Sequence, residues 1–183
     1  ERFDVLTALT SIAVPERPEG SAASFTTAAD ATPLAPVETE DTAVVTLRTA
    51  TGVPASVVVS QVSAGRRNRL WFELDGAAGS AVFDQENPES AWLGTPDGAT
   101  VVARGTGTVS ADQQRLSYLP GGHAQGYQDC FNAFVAETYA AIAGDKPPGL
   151  PTLEDGLRSA RIVDAVLDSA ASGAWTPIER TLP

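Results

Sequence analysis

The sequence has no methionine and only one histidine, one cysteine and one lysine, and each scarcity closes off a class of function. Cys130 alone allows no intrachain disulfide, so the chain suits a reducing compartment, and the cytoplasm is the expected location. One imidazole and one thiol cannot build a zinc site, and no acidic run has calcium-loop spacing, so no metal is expected. No run approaches the roughly 18 apolar residues that span a bilayer, and Glu1-Arg2-Phe3-Asp4 does not open a signal peptide. Basic side chains are few as well, 12 against 23 acidic ones, for a formal charge of −11. A field of that sign repels phosphate backbones and anionic lipid, so neither nucleic acid nor a membrane is an expected partner. Arg66, Arg67 and Arg69 form the only dense basic cluster. A chain that starts at Glu1 without any methionine is expected to be part of a longer translated one.

What is present is ordinary for a globular protein: 183 residues, 43% hydrophobic and 19% charged, which suits a single domain over residues 1–183. Residues 3–14 alternate apolar with small or polar groups, a strand signal. Residues 15–40, rich in Pro, Ala, Thr and Glu, read as a long loop with at most a short edge strand. The β-branched runs 42–50 and 55–63 flank Thr51-Gly52-Val53-Pro54 and predict a hairpin. Residues 69–75 and 80–84 form a second pair around Gly76-Ala77-Ala78-Gly79. Residues 90–94 and 99–104 form a third around Pro96-Asp97-Gly98.

From Gln128 to Ala143 the period changes to that of a helix, with Phe131, Phe134, Val135, Thr138, Tyr139 and Ile142 on one face and Cys130 as a small hydrophobe. A second helix starts at Thr152, which forms a capping box with Asp155, and stops at Gly173. Leu153, Leu157, Ala160, Val163, Val166, Leu167 and Ala170 make its expected buried stripe. Strands first and helices last predict an α+β fold: a large, mostly antiparallel open sheet with helices packed on one face. Val45, Leu47, Val57 and Val59 lie on one side of the sheet and Val44, Val58 and Val62 on the other. A sheet apolar on both faces calls for a partner on the second.

Few residues carry chemistry. His123 sits in a glycine-rich loop, Pro120-Gly121-Gly122-His123, just before a helix, where it is either a substrate contact or an exposed histidine without a role. Ser60, Gln61, Arg66, Arg67 and Asn68 supply donors and acceptors suited to a hydroxyl-rich ligand, or form a solvated hairpin end. Gly76-Ala77-Ala78-Gly79 joins two strands and opens no helix, so it is not a dinucleotide fingerprint.

The order of segments is more informative than any one of them. A strand pair led by Glu38–Ala43 is followed by Ser60–Asn68 and Leu74–Phe83. Then come Gly122–Tyr127 opening a helix, Pro151–Gly156, and Ser169–Trp175 at the end. This order resembles the C-terminal domain of the Gfo/Idh/MocA (glucose–fructose oxidoreductase / inositol dehydrogenase) family. The resemblance implies a dihydrodipicolinate-reductase-like C-terminal fold. It also implies an absent N-terminal Rossmann domain that binds NAD or NADP and carries the catalytic residues, so neither catalytic nor cofactor-binding residues are placed on this chain. The implied activity is oxidation of a sugar or polyol hydroxyl by hydride transfer, in a homo-oligomer assembled through the open sheet face. His123 and Tyr127 would then border the substrate pocket, with Gln61, Arg67 and Asn68 approaching from the sheet. The isolated chain would be inactive. The alternative is a freestanding ligand-binding or assembly module with the same fold and no catalytic role.

Overall fold

A computed structural model describes residues 2–19, 33–106 and 110–179. They fall into two compact units, one drawing on the chain up to Ala64 and again from Pro151, the other on Gly65–Leu150. The first begins with β1 (Phe3–Ser11), β2 (Glu16–Pro18), β3 (Leu34–Pro36), β4 (Thr42–Thr49) and β5 (Pro54–Ser60). The second contains β6 (Trp71–Gly76), β7 (Gly79–Asp84), β8 (Ser90–Thr95), β9 (Gly98–Ala103), α1 (Ala111–Leu116) and α2 (Tyr127–Ile142). The chain then returns to the first unit with α3 (Leu153–Ser172) and β10 (Thr176–Pro177).

The first unit is an antiparallel sheet of order β10-β1-β4-β5 with α3 on one face. The register sets Leu6 opposite Leu47 and Ala8 opposite Val45. Alternation sends these four to the same side, where they form the core with Ala165 and Ile178. The other face carries the cross-strand row Leu9, Val44 and Val58, all exposed. The doubly apolar character expected of the sheet is therefore present here. Val57 and Val59 share the core side of the ladder yet stay half exposed.

The helix meets the sheet through a stripe that keeps Val166 of the expected one and is otherwise shifted. Its buried residues are Ala165 and Ser169, with Ile162 and Val166 partly buried beside them, while Leu153, Leu157, Val163 and Leu167 are exposed. Positions 162, 165, 166 and 169 keep the helical period. The small side chains at 165 and 169 bring the helix backbone close to β1, which turns the larger residues away from the contact.

Two polar anchors hold this unit. The Asp4 carbonyl accepts the Ile178 amide, so even-numbered residues of β1 direct their backbone groups toward β10. That strand pairs only with Val5 and Leu6. The Ala8 amide, one step beyond, is taken instead by Ser169 Oγ at 2.9 Å, and the same hydroxyl donates to the Ala174 carbonyl at 2.7 Å. Asp41, 3% exposed, accepts the Ala13 and Val14 amides at 2.9 Å each and pairs with Arg17. It thereby fixes the exit of β1.

Part of the expected long loop is ordered: β2 and β3 pair as a two-stranded ribbon, and residues 20–32 of that stretch lie outside the described residues. The second unit is a meander of order β6-β7-β8-β9, with the expected turns at Ala77-Ala78 and Pro96-Asp97. Among the described residues, eight of the ten strands are thus shared between two four-stranded sheets. The exposed segment 61–70 that joins them in sequence, with three arginines and single Gly, Asn and Ser residues, forms no ladder. The antiparallel strands and the α+β class stand as expected.

The short helix α1, capped by Ser110 at 3.1 Å, was not foreseen. On α2 the large residues Phe131, Phe134, Val135, Tyr139 and Ile142 stay exposed, as does Cys130. Its partly buried side carries Ala133, Glu137 and Ala140, with Glu137 ion-paired to Arg115, so a charged anchor sets the helix face. Among the described residues no helix is long and apolar enough to cross a membrane.

Candidate functional site

The glycine loop takes its shape from the end of the meander. The β8–β9 register sets Ser90 opposite Ala103, so the next pair outward is Glu89 opposite Arg104. Opposite charges at facing ladder positions attract, and the Arg104 Nε lies 3.1 Å from both Glu89 carboxylate oxygens. From there the guanidinium reaches into residues 117–123. It donates to Ser117 Oγ at 3.0 Å, to the Leu119 carbonyl at 2.8 Å and to the His123 carbonyl. Glu89 also accepts the Gln125 amide at 3.2 Å. The Arg104 guanidinium and this amide hold the Glu89 carboxyl below the usual carboxylate range.

Close backbone packing requires glycine on both sides. A Cβ on Gly105 (φ +77°) would stand 3.3 Å from the Gly121 amide, and one on Gly121 would stand 3.2 Å from the Arg104 carbonyl. At the far end of the loop, Asp129 accepts the Gly126 amide at 2.7 Å and the Tyr118 hydroxyl, which fixes the entry into α2. The Tyr118 hydroxyl first, then the Gly126 amide, lowers the Asp129 pKa. The same hydrogen bond, with burial, raises that of Tyr118.

Within this frame His123 and Tyr127 are exposed neighbours at the start of α2. The Tyr127 ring packs on Phe131 with centroids 4.9 Å apart. Arg67 and Asn68 lie in the same unit, on the segment leading into β6. There the Arg67 amide donates to Glu86 at 3.3 Å and the Asn68 carbonyl accepts from Gln85 at 2.9 Å. The two arginines around them are committed elsewhere: Arg66 to Glu86 at 2.9 Å and Arg69 to Asp84 at 2.8 Å. Gln61 belongs to the first unit, just past β5, with its amide bonded to the Asp41 carbonyl at 2.8 Å.

The five residues share one property. Each is fixed through its backbone or ring, while among the described residues no hydrogen bond or ion pair engages its side-chain polar group. Such groups are available to a ligand. Arg104 and Glu89 were missed as site residues. Their signal in the sequence is the pair of opposite charges bracketing the third predicted hairpin at matching offsets. Among the described residues no group of three or more His, Cys, Asp or Glu is placed to hold a metal ion.

This fold and loop define a domain class, and residues 10–178 match the oxidoreductase family C-terminal alpha/beta domain, the Gfo/Idh/MocA model; the chain belongs to that family. Among curated proteins it is 29% identical to levoglucosan dehydrogenase of Pseudarthrobacter phenanthrenivorans, matching 96% of this chain and 46% of that protein. The chain thus spans about half the length of the curated relative it matches. Among solved structures it resembles an oxidoreductase domain protein from Kribbella flavida (TM-score 0.79, 27% identity, 98% of this chain and 46% of that one). It is also similar to a levoglucosan dehydrogenase in complex with NADH and levoglucosan (TM-score 0.79, 26% identity, 98% and 45%), and to that dehydrogenase in complex with NADH and L-sorbose (TM-score 0.77, 27% identity).

Proposed function

We propose that this chain is the substrate-binding and oligomerisation domain of an NAD(P)-dependent dehydrogenase acting on a sugar or polyol hydroxyl, and that it is inactive by itself. The observation that carries the reading is the likeness, over nearly the whole chain, to a dehydrogenase solved with both NADH and a sugar. His123, Tyr127, Arg67 and Asn68 are the proposed sugar contacts of the second unit, and Gln61 is proposed as one on the first, because among the described residues their polar ends are free and their backbones or rings are held. An imidazole, a phenol, a guanidinium and two carboxamides supply the directional donors and acceptors that a ring of hydroxyls requires.

Pyrophosphate favours a helix N-terminus with open amides, and here Asp129 occupies that of α2 while Glu154 and Asp155 lie in the first turn of α3. We therefore assign the nicotinamide cofactor, and the hydride transfer it supplies, to an N-terminal Rossmann domain outside this chain. The exposed row Leu9, Val44 and Val58 supports a second copy of the chain as partner for the open sheet face.

The test is to read the coding frame upstream of Glu1 and express its whole product. An upstream strand–GxGxxG–helix unit, sugar-dependent reduction of NAD or NADP by the product, and a raised sugar KM on His123→Ala are the expected results. A start codon immediately upstream of Glu1 would overturn the dehydrogenase reading in favour of a freestanding module.

A further inference from the structure

We propose that Arg104 is the positioning residue for His123: its guanidinium, and not a mobile glycine loop, sets where the only imidazole of the chain stands. The inference rests on the reading that His123 faces the sugar. The His123 side chain has no intrachain hydrogen bond among the described residues, so its place is set through its backbone. That backbone is held at two points, by a turn in which the His123 amide donates to the Pro120 carbonyl at 3.1 Å and by Arg104 at the His123 carbonyl.

The guanidinium suits this role for a geometric reason. It carries five donors in a rigid planar fork, and its side chain is only 14% exposed. One edge is committed to Glu89, with Nη2 2.9 Å from Oε2, and that ion pair fixes its orientation against the sheet. The three remaining N–H groups fan out, some of them shared, to Ser117, Leu119, Pro120, His123 and Gln125 Oε1. Five acceptors spread over nine residues are thereby gathered onto one group that the β8–β9 ladder has already placed. Without it, a segment with glycine at both 121 and 122 has many backbone states available. A lysine at 104 brings three donors on one nitrogen, enough for the carboxylate and one or two carbonyls but not for the whole fan. Arg104 touches no reacting atom in this account and acts only through the loop.

His123 is the sole histidine, so its imidazole resonances can be assigned by their loss in His123→Gln. The experiment compares NMR spectra and amide exchange in the full chain for wild type, Arg104→Lys and Arg104→Met. In Arg104→Met, exchange at His123 and Gln125 is expected to rise roughly tenfold or more, and the imidazole signals to broaden or move. The β6–β9 amides should keep their protection, and the lysine variant should fall between. Unchanged loop exchange would overturn the proposal, and so would equal acceleration of every amide in the unit, which marks a merely structural role.

In the product of the complete coding frame, Arg104→Met is expected to raise the sugar KM with the cofactor KM unchanged, and to add nothing to His123→Ala. Independent, additive effects would also overturn it. If His123→Ala leaves the sugar KM untouched, the sugar-facing reading of His123 fails, while the loop-exchange result still decides what Arg104 does.

Discussion

Replacing Ser169 by Ala removes one oxygen from a fully buried position and tests how α3 is attached to the sheet. The hydroxyl accepts the Ala8 amide at 2.9 Å at the point where β10 has ended and no strand can take it. Alanine leaves that amide without a partner beneath the helix. A buried donor stranded in this way costs about 1–3 kcal/mol. The Ala174 carbonyl loses one of its two donors but keeps the Thr176 hydroxyl at 3.4 Å, and it belongs to an exposed residue within reach of water. Alanine returns roughly 0.5 kcal/mol of helix propensity, so the net loss is about 0.5–2.5 kcal/mol. For a chain of this length, a loss near 2 kcal/mol lowers the midpoint of thermal unfolding by about 4–8 °C. Urea unfolding followed by far-UV circular dichroism should show a lower midpoint at an unchanged slope. Ser172→Ala is the control, since Ser172 Oγ bonds only to carbonyls of its own helix, Asp168 at 2.7 Å and Ser169 at 3.5 Å; its effect should stay within about 0.5 kcal/mol. A Ser169→Ala loss no larger than the control would refute the idea that this hydroxyl continues the sheet.

Other outcomes follow from the same structure. Leu6→Ala, at a site with no exposure, should lose about 2–5 kcal/mol by equilibrium denaturation. Gly173 ends α3 at φ +68° with open space around an added Cβ, so Gly173→Ala should lose about 1–2 kcal/mol through backbone conformation alone. Gly156, inside the first turns of α3 with equally open surroundings, should instead gain up to about 1 kcal/mol on replacement by Ala. The Val14 and Ala13 amides and Arg17 hold the Asp41 carboxyl below its ordinary value. Its contribution is therefore fully present above the usual carboxylate range and lost as pH falls through the depressed value. An acid titration of stability should accordingly be flatter in Asp41→Asn than in wild type, and parallel curves would count against this anchor.

The hairpins were legible because each is signalled locally: β-branched runs, a Gly or Pro in the turn, and matching arm lengths. Thr152 with Asp155 and the stop at Gly173 were legible for the same reason. The faces of the helices were not. Spacing picked the bulkiest apolar residues of α3, but contact runs through Ala165 and Ser169, because close approach of a helix to a sheet depends on small side chains as much as on hydrophobicity. On α2 the inward side is set by the Glu137–Arg115 pair, a contact between elements that no periodicity within one helix contains. The division of the strands into two units had no local signal either, since segment 61–70 reads equally as a turn and as a break between sheets.

The proposed site shows the same division between what a sequence displays and what only a fold supplies. His123, Gln61, Arg67 and Asn68 stood out as polar groups and Tyr127 came through the family resemblance alone, and among the described residues each keeps its side chain unengaged. What makes such groups useful is the rigidity behind them, and that comes from residues chosen for other reasons. Arg66 and Arg69 pair with Glu86 and Asp84 at the end of β7 and leave Arg67 between them as the member of the cluster whose side chain has no partner among the described residues. Glu89 and Arg104, at the ends of a hairpin, brace the loop that carries the imidazole. A ligand meeting side chains already held by their backbones gives up less conformational freedom to bind them than one that must order a loose loop. The paired charged residues Arg66, Arg69, Glu89 and Arg104 would therefore bear on the affinity for a ligand through the order they impose rather than through contact with it, and substitutions among them should weaken binding in proportion to the loop mobility they release.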